Sequence, residues 1–221
     1  MQPPVTARWQ DIGPLEADED TGELLLRLPT LTTLALCFSD DLFDVDTEHI
    51  THLDFLPQLP RLTSLTLYSE EWSLSPDTVL ASLLLCSGLT ELSISNFNSE
   101  AWSALFAVLA IKKLTLFLGG DIETLRCFAS GLITESLEEL SLEEIHLPWS
   151  ELSHLYGLRR LRILHLGSSY YCRLDGATID SLAPPTPFLP SLTTLFHHWQ
   201  TASGAWDVTE RQGSSFEWIH Y

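Results

Sequence analysis

The side chains best suited to chemistry in this 221-residue sequence are its eight histidines and four cysteines. His49 and His52 stand three apart, as two ligands on one helical turn would, yet no carboxylate or cysteine constellation partners them to make a zinc site. His197 and His198 are adjacent, so on a strand they face opposite sides and cannot share an ion. Cys37, Cys86, Cys127 and Cys172 lie far apart without a CxxC pair, and they read as buried thiols of a reducing compartment. The chain contains no Gly-x-Ser-x-Gly elbow, no phosphate-cradling glycine loop and no His-Glu-x-x-His. It reads as a non-enzyme with no catalytic residue, no metal ligand and no cofactor.

Charge narrows the choice of partner. Thirty acidic residues face 11 basic ones, for a formal net charge of −19. Such a field disfavours a long interface with nucleic acid or an anionic membrane and favours a protein with a basic surface. The longest apolar run, Ala104 to Ile111, is far short of the roughly 20 residues that a membrane span needs. The opening MQPPVTARWQDIGPLEADED lacks a cationic start followed by an apolar stretch, so no secretory signal is expected and the cytoplasm or nucleus is the expected compartment.

Whatever binds must be held by elements, and the elements are announced by one phrase. LPRLTSLTLY at Leu59 to Tyr68 returns as LPTLTTLALC at Leu28 and as LPSLTTLFHH at Leu189. On an L-x-x-L-x-L template the chain offers LTTLAL, LTSLTL, LTELSI, IKKLTL, LEELSL and LRILHL, followed by LTTLFH, which loses its last leucine. Their starts lie 31, 27, 22, 26, 24 and 31 residues apart. In an extended segment alternate side chains face opposite sides, so Leu65 and Leu67 point inward while Ser64, Thr66 and Tyr68 point out. One such strand cannot bury its leucines alone, whereas stacking on the next copy satisfies both apolar face and backbone.

Helical patterns fill the intervals, as parallel crossovers require. SPDTVLASLLLC has Ser75 as N-cap, Pro76 at the first helical position and an apolar stripe at Val79, Leu80, Leu83 and Leu84. NSEAWSALFAVLA carries Trp102, Leu105, Phe106 and Leu109 at helical spacing. DIETLRCFASG predicts a helix from Asp121 to near Gly131 that buries Leu125 and Phe128, and PWSELSHLYG a shorter one. Strand and helix are thus expected to alternate throughout. Residues 1–23 read as an acidic leader, with a first helix capped by Thr21 just beyond it. Residues 24–200 read as about seven repeats, and 201–221 as a capping hairpin turning around Gln212, Gly213 and Ser214.

These phrases resemble the leucine-rich repeat superfamily, and the long units with helices are most similar to its ribonuclease-inhibitor-like branch. The resemblance implies an α/β solenoid, a horseshoe with a parallel sheet on the concave face and helices on the convex one. The recurring LPxLxxLxL and uneven repeat lengths are also similar to the repeat region of fungal F-box proteins. That likeness implies a protein-interaction module, in its most specific form the substrate-recognition part of an F-box-type ubiquitin-ligase adaptor, although residues 1–23 are too few for an F-box. The alternative is an acidic inhibitor or scaffold that masks a basic protein. The position at which the family favours Asn or Cys holds Ser39, Glu70, Phe97, Gly119, Ile145, Ser169 and Gln200, so no asparagine ladder is expected.

The expected binding surface is the outward row of the strands, exposed without being needed for folding. Glu91, Lys113, Phe117, Glu139, Glu143, His165, Phe196 and Trp199 are its protein-binding candidates. Glu139 and Glu143 read as an acidic cluster, while Trp199, Phe117 and Tyr68 read as part of an aromatic rim just after the strands, where loop packing would demand the same residue types. Arg159, Arg160 and Arg162 are expected to pair with Glu138, Glu139 and Glu143 across strands, the alternative being that these rows form an anion site.

Overall fold

The computed structural model describes residues 5–7, 19–38, 53–69, 76–95, 102–117, 125, 128–143, 154–166, 189, 191–200 and 206–209. These residues form an α/β fold around one sheet of nine strands. The strands are β1 (Val5–Ala7), β2 (Leu31–Phe38), β3 (Ser64–Ser69), β4 (Glu91–Ser95) and β5 (Lys113–Phe117), then β6 (Glu139–Glu143), β7 (Ile163–Leu166), β8 (Thr194–Gln200) and β9 (Trp206–Thr209). Their order in the sheet is their order in the sequence. Strands β1 to β8 pair in parallel, and β9 turns back antiparallel onto β8.

The repeated phrase sets the register. Leu34, Leu65, Leu92, Leu114, Leu140, Leu164 and Leu195 form one row of Cα partners across β2 to β8. Leu36, Leu67, Ile94, Leu116, Leu142, Leu166 and His197 form a second row two residues on. The leading residues Leu31, Leu62, Leu89, Ile111, Leu137, Leu161 and Leu192 are buried as well. Leu34, Leu65, Leu92, Leu114, Leu140 and Leu164 of the first row, Leu36, Leu67, Ile94, Leu116 and Leu142 of the second, and all seven leading residues join one continuous core. Full burial of each aliphatic side chain contributes about 1.5–3 kcal/mol, so the stack is held chiefly by contacts between neighbouring strands.

Just ahead of each strand the backbone forms its own ladder. The carbonyl of Thr63 accepts from the N–H groups of Thr90 and Glu91, that of Thr90 from Lys112 and Lys113, that of Lys112 from Glu138 and Glu139, and that of Glu138 from Arg162 and Ile163. Thr63, Thr90 and Thr193 add their hydroxyls to the carbonyls of Thr32, Thr63 and Arg162. Threonine in the phrase LT therefore has a local task, fixing each strand onto the last before pairing begins.

Four helices pack on the leucine side: α1 (Glu19–Leu26), α2 (Pro76–Leu84), α3 (Trp102–Val108) and α4 (Ile133–Ser136). Val79, Leu80 and Leu83 of α2 and Leu105 and Phe106 of α3 enter the core, and Phe106 stacks on Phe128 with ring centroids 5.2 Å apart. From β3 to β6 helix and strand alternate, as the expected pattern requires, through α2, α3 and α4. Just before β3, Leu56–Gln58 form a 3-10 turn, where Pro57 and Pro60 in LPQLPRL remove donors that a longer helix would use. Residues 154–157 are also 3-10.

Other boundaries shift. Helix α1 begins at Glu19, two residues ahead of the expected Thr21 cap, where acids favour a helix start. It starts within the expected leader 1–23, and that segment also supplies β1. Leu125 and Phe128 are buried as expected, but in 3-10 geometry, and the short α4 follows Gly131. Gly131 has φ +92°, and an added Cβ would lie 2.6 Å from the Phe106 carbonyl oxygen and 2.8 Å from Ala107 Cα, so the turn requires glycine. Leu84 ends α2 with 37% exposure instead of completing its buried stripe. The expected hairpin around Gln212 to Ser214 lies outside the described residues; β9 forms its hairpin with β8 and covers that edge. Cys37 lies in β2, Cys86 is a buried free thiol, and Cys127 and Cys172 lie outside the described residues, as do Ser39, Glu70, Phe97, Gly119, Ile145 and Ser169.

Two predictions test this packing. Leu114 is fully buried at the centre of the sheet, so Leu114→Asp is expected to cost several kcal/mol by stranding a carboxylate among leucines. Circular dichroism and a thermal melt check it, and an unchanged Tm would displace the register. Burial also pushes the Cys86 thiol up from its ordinary 9.0 to about 11, while its Sγ donates to the Ser82 carbonyl at 3.3 Å. Since the folded pKa is the higher one, the thiol's contribution to stability is full below 9.0 and is lost as pH rises toward about 11. Melts of wild type and Cys86→Ala between those values should converge as the wild type loses this advantage.

Candidate protein-binding face

The face opposite the leucines carries three parallel rows. The first runs Thr33, Ser64, Glu91, Lys113, Glu139, Ile163, Thr194, and the second Ala35, Thr66, Ser93, Thr115, Ser141, His165, Phe196. Most of these side chains are half-buried, because small residues lie low between taller neighbours. The third row, at the far end of the strands, brings Phe117 beside Ser95 on one side and Glu143 on the other.

The charged side chains meet in the first row. Lys113 Nζ lies 2.7 Å from Glu139 Oε1, as their direct pairing in β5 and β6 dictates. On the other flank of Lys113 stands the exposed Glu91. His165 Nε2 is 3.9 Å from the same Glu139 oxygen, so Glu139 is shared between the first row and the second. The result is an alternation of Glu91, Lys113 and Glu139 across three strands.

Glu139 and Glu143 do not form one cluster. They stand four positions apart on one strand, about 13 Å at the rise of an extended chain, and Glu143 instead accepts from the Ser141 hydroxyl at 3.3 Å. The expected pairing of the arginines with Glu138, Glu139 and Glu143 is replaced by an Arg159–Glu135 contact of 3.1 Å. Lys113 sits opposite Glu139 in the ladder, whereas Arg159 lies in the turn before β7 and reaches Glu135 of α4.

Tyr68 and Phe117 come together edge to face, with ring centroids 6.3 Å apart and planes at 87°. They sit on β3 and β5, with β4 between them. Ser95 lies in the intervening position and is 3% exposed, so the two rings roof over a small side chain. Such a pair is worth about 0.5–1.5 kcal/mol beyond its buried area. Phe196 occupies the position beside His165, and Trp199 lies within β8 opposite Asp207 of β9, inside a strand instead of just after one. Only the backbone of these two residues is described. Among the described residues no group of three or more His, Cys, Asp or Glu side chains is arranged to hold a metal ion. His49 and His52 lie outside them. Among the described residues, too, no helix is long and apolar enough to cross a membrane.

A further surface was missed in the sequence. Leu85, Val108, Leu132 and Tyr156 are 68%, 51%, 48% and 55% exposed at the turns that lead into β4, β5, β6 and β7. A signal for Leu85 was present, since the run LLL in LASLLLC extends beyond the stripe that one helical face can bury.

Compared with known proteins, the chain matches no family model, and no curated protein matches it.

The Lys113–Glu139 pair is expected to organise the face more than it stabilises the fold, since the side chains are 48% and 25% exposed. A double-mutant cycle with Lys113→Met and Glu139→Gln should give a coupling of about 0.2–1 kcal/mol that shrinks in high salt. A larger, salt-independent coupling in denaturant titrations would assign the pair a structural role instead.

Proposed function

We propose that the chain is a leucine-rich-repeat solenoid acting as a protein-interaction module, and that it holds a protein with a basic surface on the open, hydroxyl-rich face of its sheet. One observation carries this reading: every strand from β2 to β7 spends one side on the leucine core, while the other bears polar side chains that the core does not use. A parallel sheet is ordinarily covered on both faces by helices, so a face of threonine, serine and ionised side chains is one left open. Glu91, Glu139 and Glu143 outnumber Lys113 on it, in keeping with the net charge of −19, and the Tyr68–Phe117 roof supplies a rigid apolar anchor of the kind that interface centres favour.

The two forms that the resemblance implies share this contact. An adaptor in ubiquitin ligation uses it to present the partner, whereas an inhibitor or scaffold uses it to mask the partner. The first makes the partner's ubiquitylation depend on this protein, and the second does not.

The test is kinetic. With a partner recovered by affinity capture, the triple variant Glu91→Gln, Glu139→Gln, Glu143→Gln should lower the association rate by about tenfold at low salt and flatten its salt dependence, leaving dissociation little changed. Surface plasmon resonance at several ionic strengths separates the two rates. An unaltered association rate with an unaltered melt would move the binding site off this face.

A further inference from the structure

The chain's positive charges are not scattered. From five residues ahead of each phrase to its second residue, over the six phrases from Leu31 to Leu161, there are six cations and two acids, in a chain of net charge −19. Arg159, Arg160 and Arg162 lead into β7, Lys112 into β5, and Arg61 and Arg27 stand ahead of the phrases that open β3 and β2. The acids are Glu135, already held by Arg159 at 3.1 Å, and Glu138. All six cations are exposed.

The same edge carries the exposed apolar side chains. Leu85, Val108, Leu132 and Tyr156 lie three to five residues ahead of the phrases at Leu89, Ile111, Leu137 and Leu161. Next to them in sequence Cys86, Leu109, Ile133 and Leu155 are buried, so each turn sends one residue into the core and leaves another in solvent. The turns meet one another edge to edge: the Arg159 N–H donates to the Thr134 carbonyl at 3.0 Å, and Gly131 lies against the backbone of Phe106 and Ala107. The approaches to β4, β5, β6 and β7 thus each expose one apolar side chain, and exposed cations stand on two of them, Lys112 before β5 and Arg159, Arg160 and Arg162 before β7.

We propose that this edge, where the strands begin, is a second docking surface whose occupant is an acidic segment of a partner protein with apolar side chains interleaved. It is distinct from the open face and does not rest on the reading given for it. Charge complementarity selects the occupant. The cations repel a basic partner and attract carboxylates, and the exposed leucines, valine and tyrosine favour a segment that can place apolar side chains between those carboxylates. Four neighbouring strands span about 14 Å, so an extended peptide, rising about 3.3 Å per residue, crosses their starts in five or so residues.

The probe is a fluorescein-labelled peptide of about twelve residues in which glutamates alternate with leucines, long enough to cross the starts of all the strands that carry these side chains. Fluorescence anisotropy with the full chain should show saturable binding. Replacing the peptide's glutamates by lysines, or its leucines by serines, should weaken it by about tenfold or more. Arg159→Glu with Arg160→Glu should do the same, as should Leu85→Ser with Tyr156→Ser, and melts confirm that each variant folds. The open-face variant Glu91→Gln, Glu139→Gln, Glu143→Gln should bind the peptide as wild type does. Undiminished binding by the arginine pair variant, equal binding of the lysine peptide, or no saturation overturns the proposal. So does self-association of the chain that the arginine variant abolishes while the peptide does not compete, since the occupant would then be a second copy.

Discussion

The rest of the structure depends on one constraint: no strand in this chain can satisfy its own backbone or bury its own leucines. A lone LTSLTL segment would leave Leu62, Leu65 and Leu67 half in water and its donors unpaired. Stacked in register, the same segment buries all three to 3% or less. The carbonyl ladder through Thr63, Thr90, Lys112, Glu138 and Arg162 shows how tightly neighbours are tied, since each carbonyl takes donors from the next rung before the sheet proper begins. Cooperation is therefore between neighbours, and the ends need separate treatment. Strand β1 extends one end in parallel, and β9 closes the other by reversing direction, the cheapest way to cover an edge with one hairpin.

That constraint is why so much of the fold could be read from sequence. Period-two leucines in a phrase recurring every 22 to 31 residues specify the strands, their inward face and their parallel register, and each of the phrases from Leu31 to Leu192 leads into a strand. The connections were less readable, because a crossover needs only to return the chain and bury an apolar residue or two. Close to its strand, a proline-rich 3-10 turn at Leu56–Gln58 buries Leu56 much as α2 buries Val79 and Leu83. Leu125 and Phe128 were predicted to be buried, yet the same apolar spacing serves a helix or a sequence of tight turns. Gly131 was read as a helix stop, and its positive φ and close contact with the previous rung show that it is also what lets two rungs approach.

The candidate face was readable in its membership and less so in its pairings. Register places Glu91, Lys113 and Glu139 side by side, which follows from counting residues within each phrase. The partner of Glu139 was misjudged because the arginine-rich segment before β7 looked like the nearer source of charge. Lys113 wins because it occupies the directly opposite position, whereas Arg159 belongs to the turn before β7 and reaches Glu135 of α4. The Tyr68–Phe117 contact spans two strands across Ser95, a diagonal that alternation alone does not reveal.

In-register stacking also limits what charge each surface can carry. Equivalent positions on adjacent strands lie about 4.8 Å apart, and two like charges about 4 Å apart repel by about 1 kcal/mol in water and about 4 kcal/mol at a protein surface. A row within the strands can therefore be neutral or alternating, but not a ladder of one sign. The first row is neutral at Thr33 and Ser64 and alternates through Glu91, Lys113 and Glu139; the row beside it is neutral at Thr32, Thr63 and Thr90 and alternates through Lys112, Glu138 and Arg162. Turns escape this rule, because rungs of unequal length do not superpose their turn residues, and exposed guanidinium groups there can splay into water. Like charge therefore gathers on this scaffold where the repeat is least regular: Arg159 and Arg160 stand together in a turn, whereas Lys112 and Arg162 alternate with Glu138 in register, and the sheet face stays mixed.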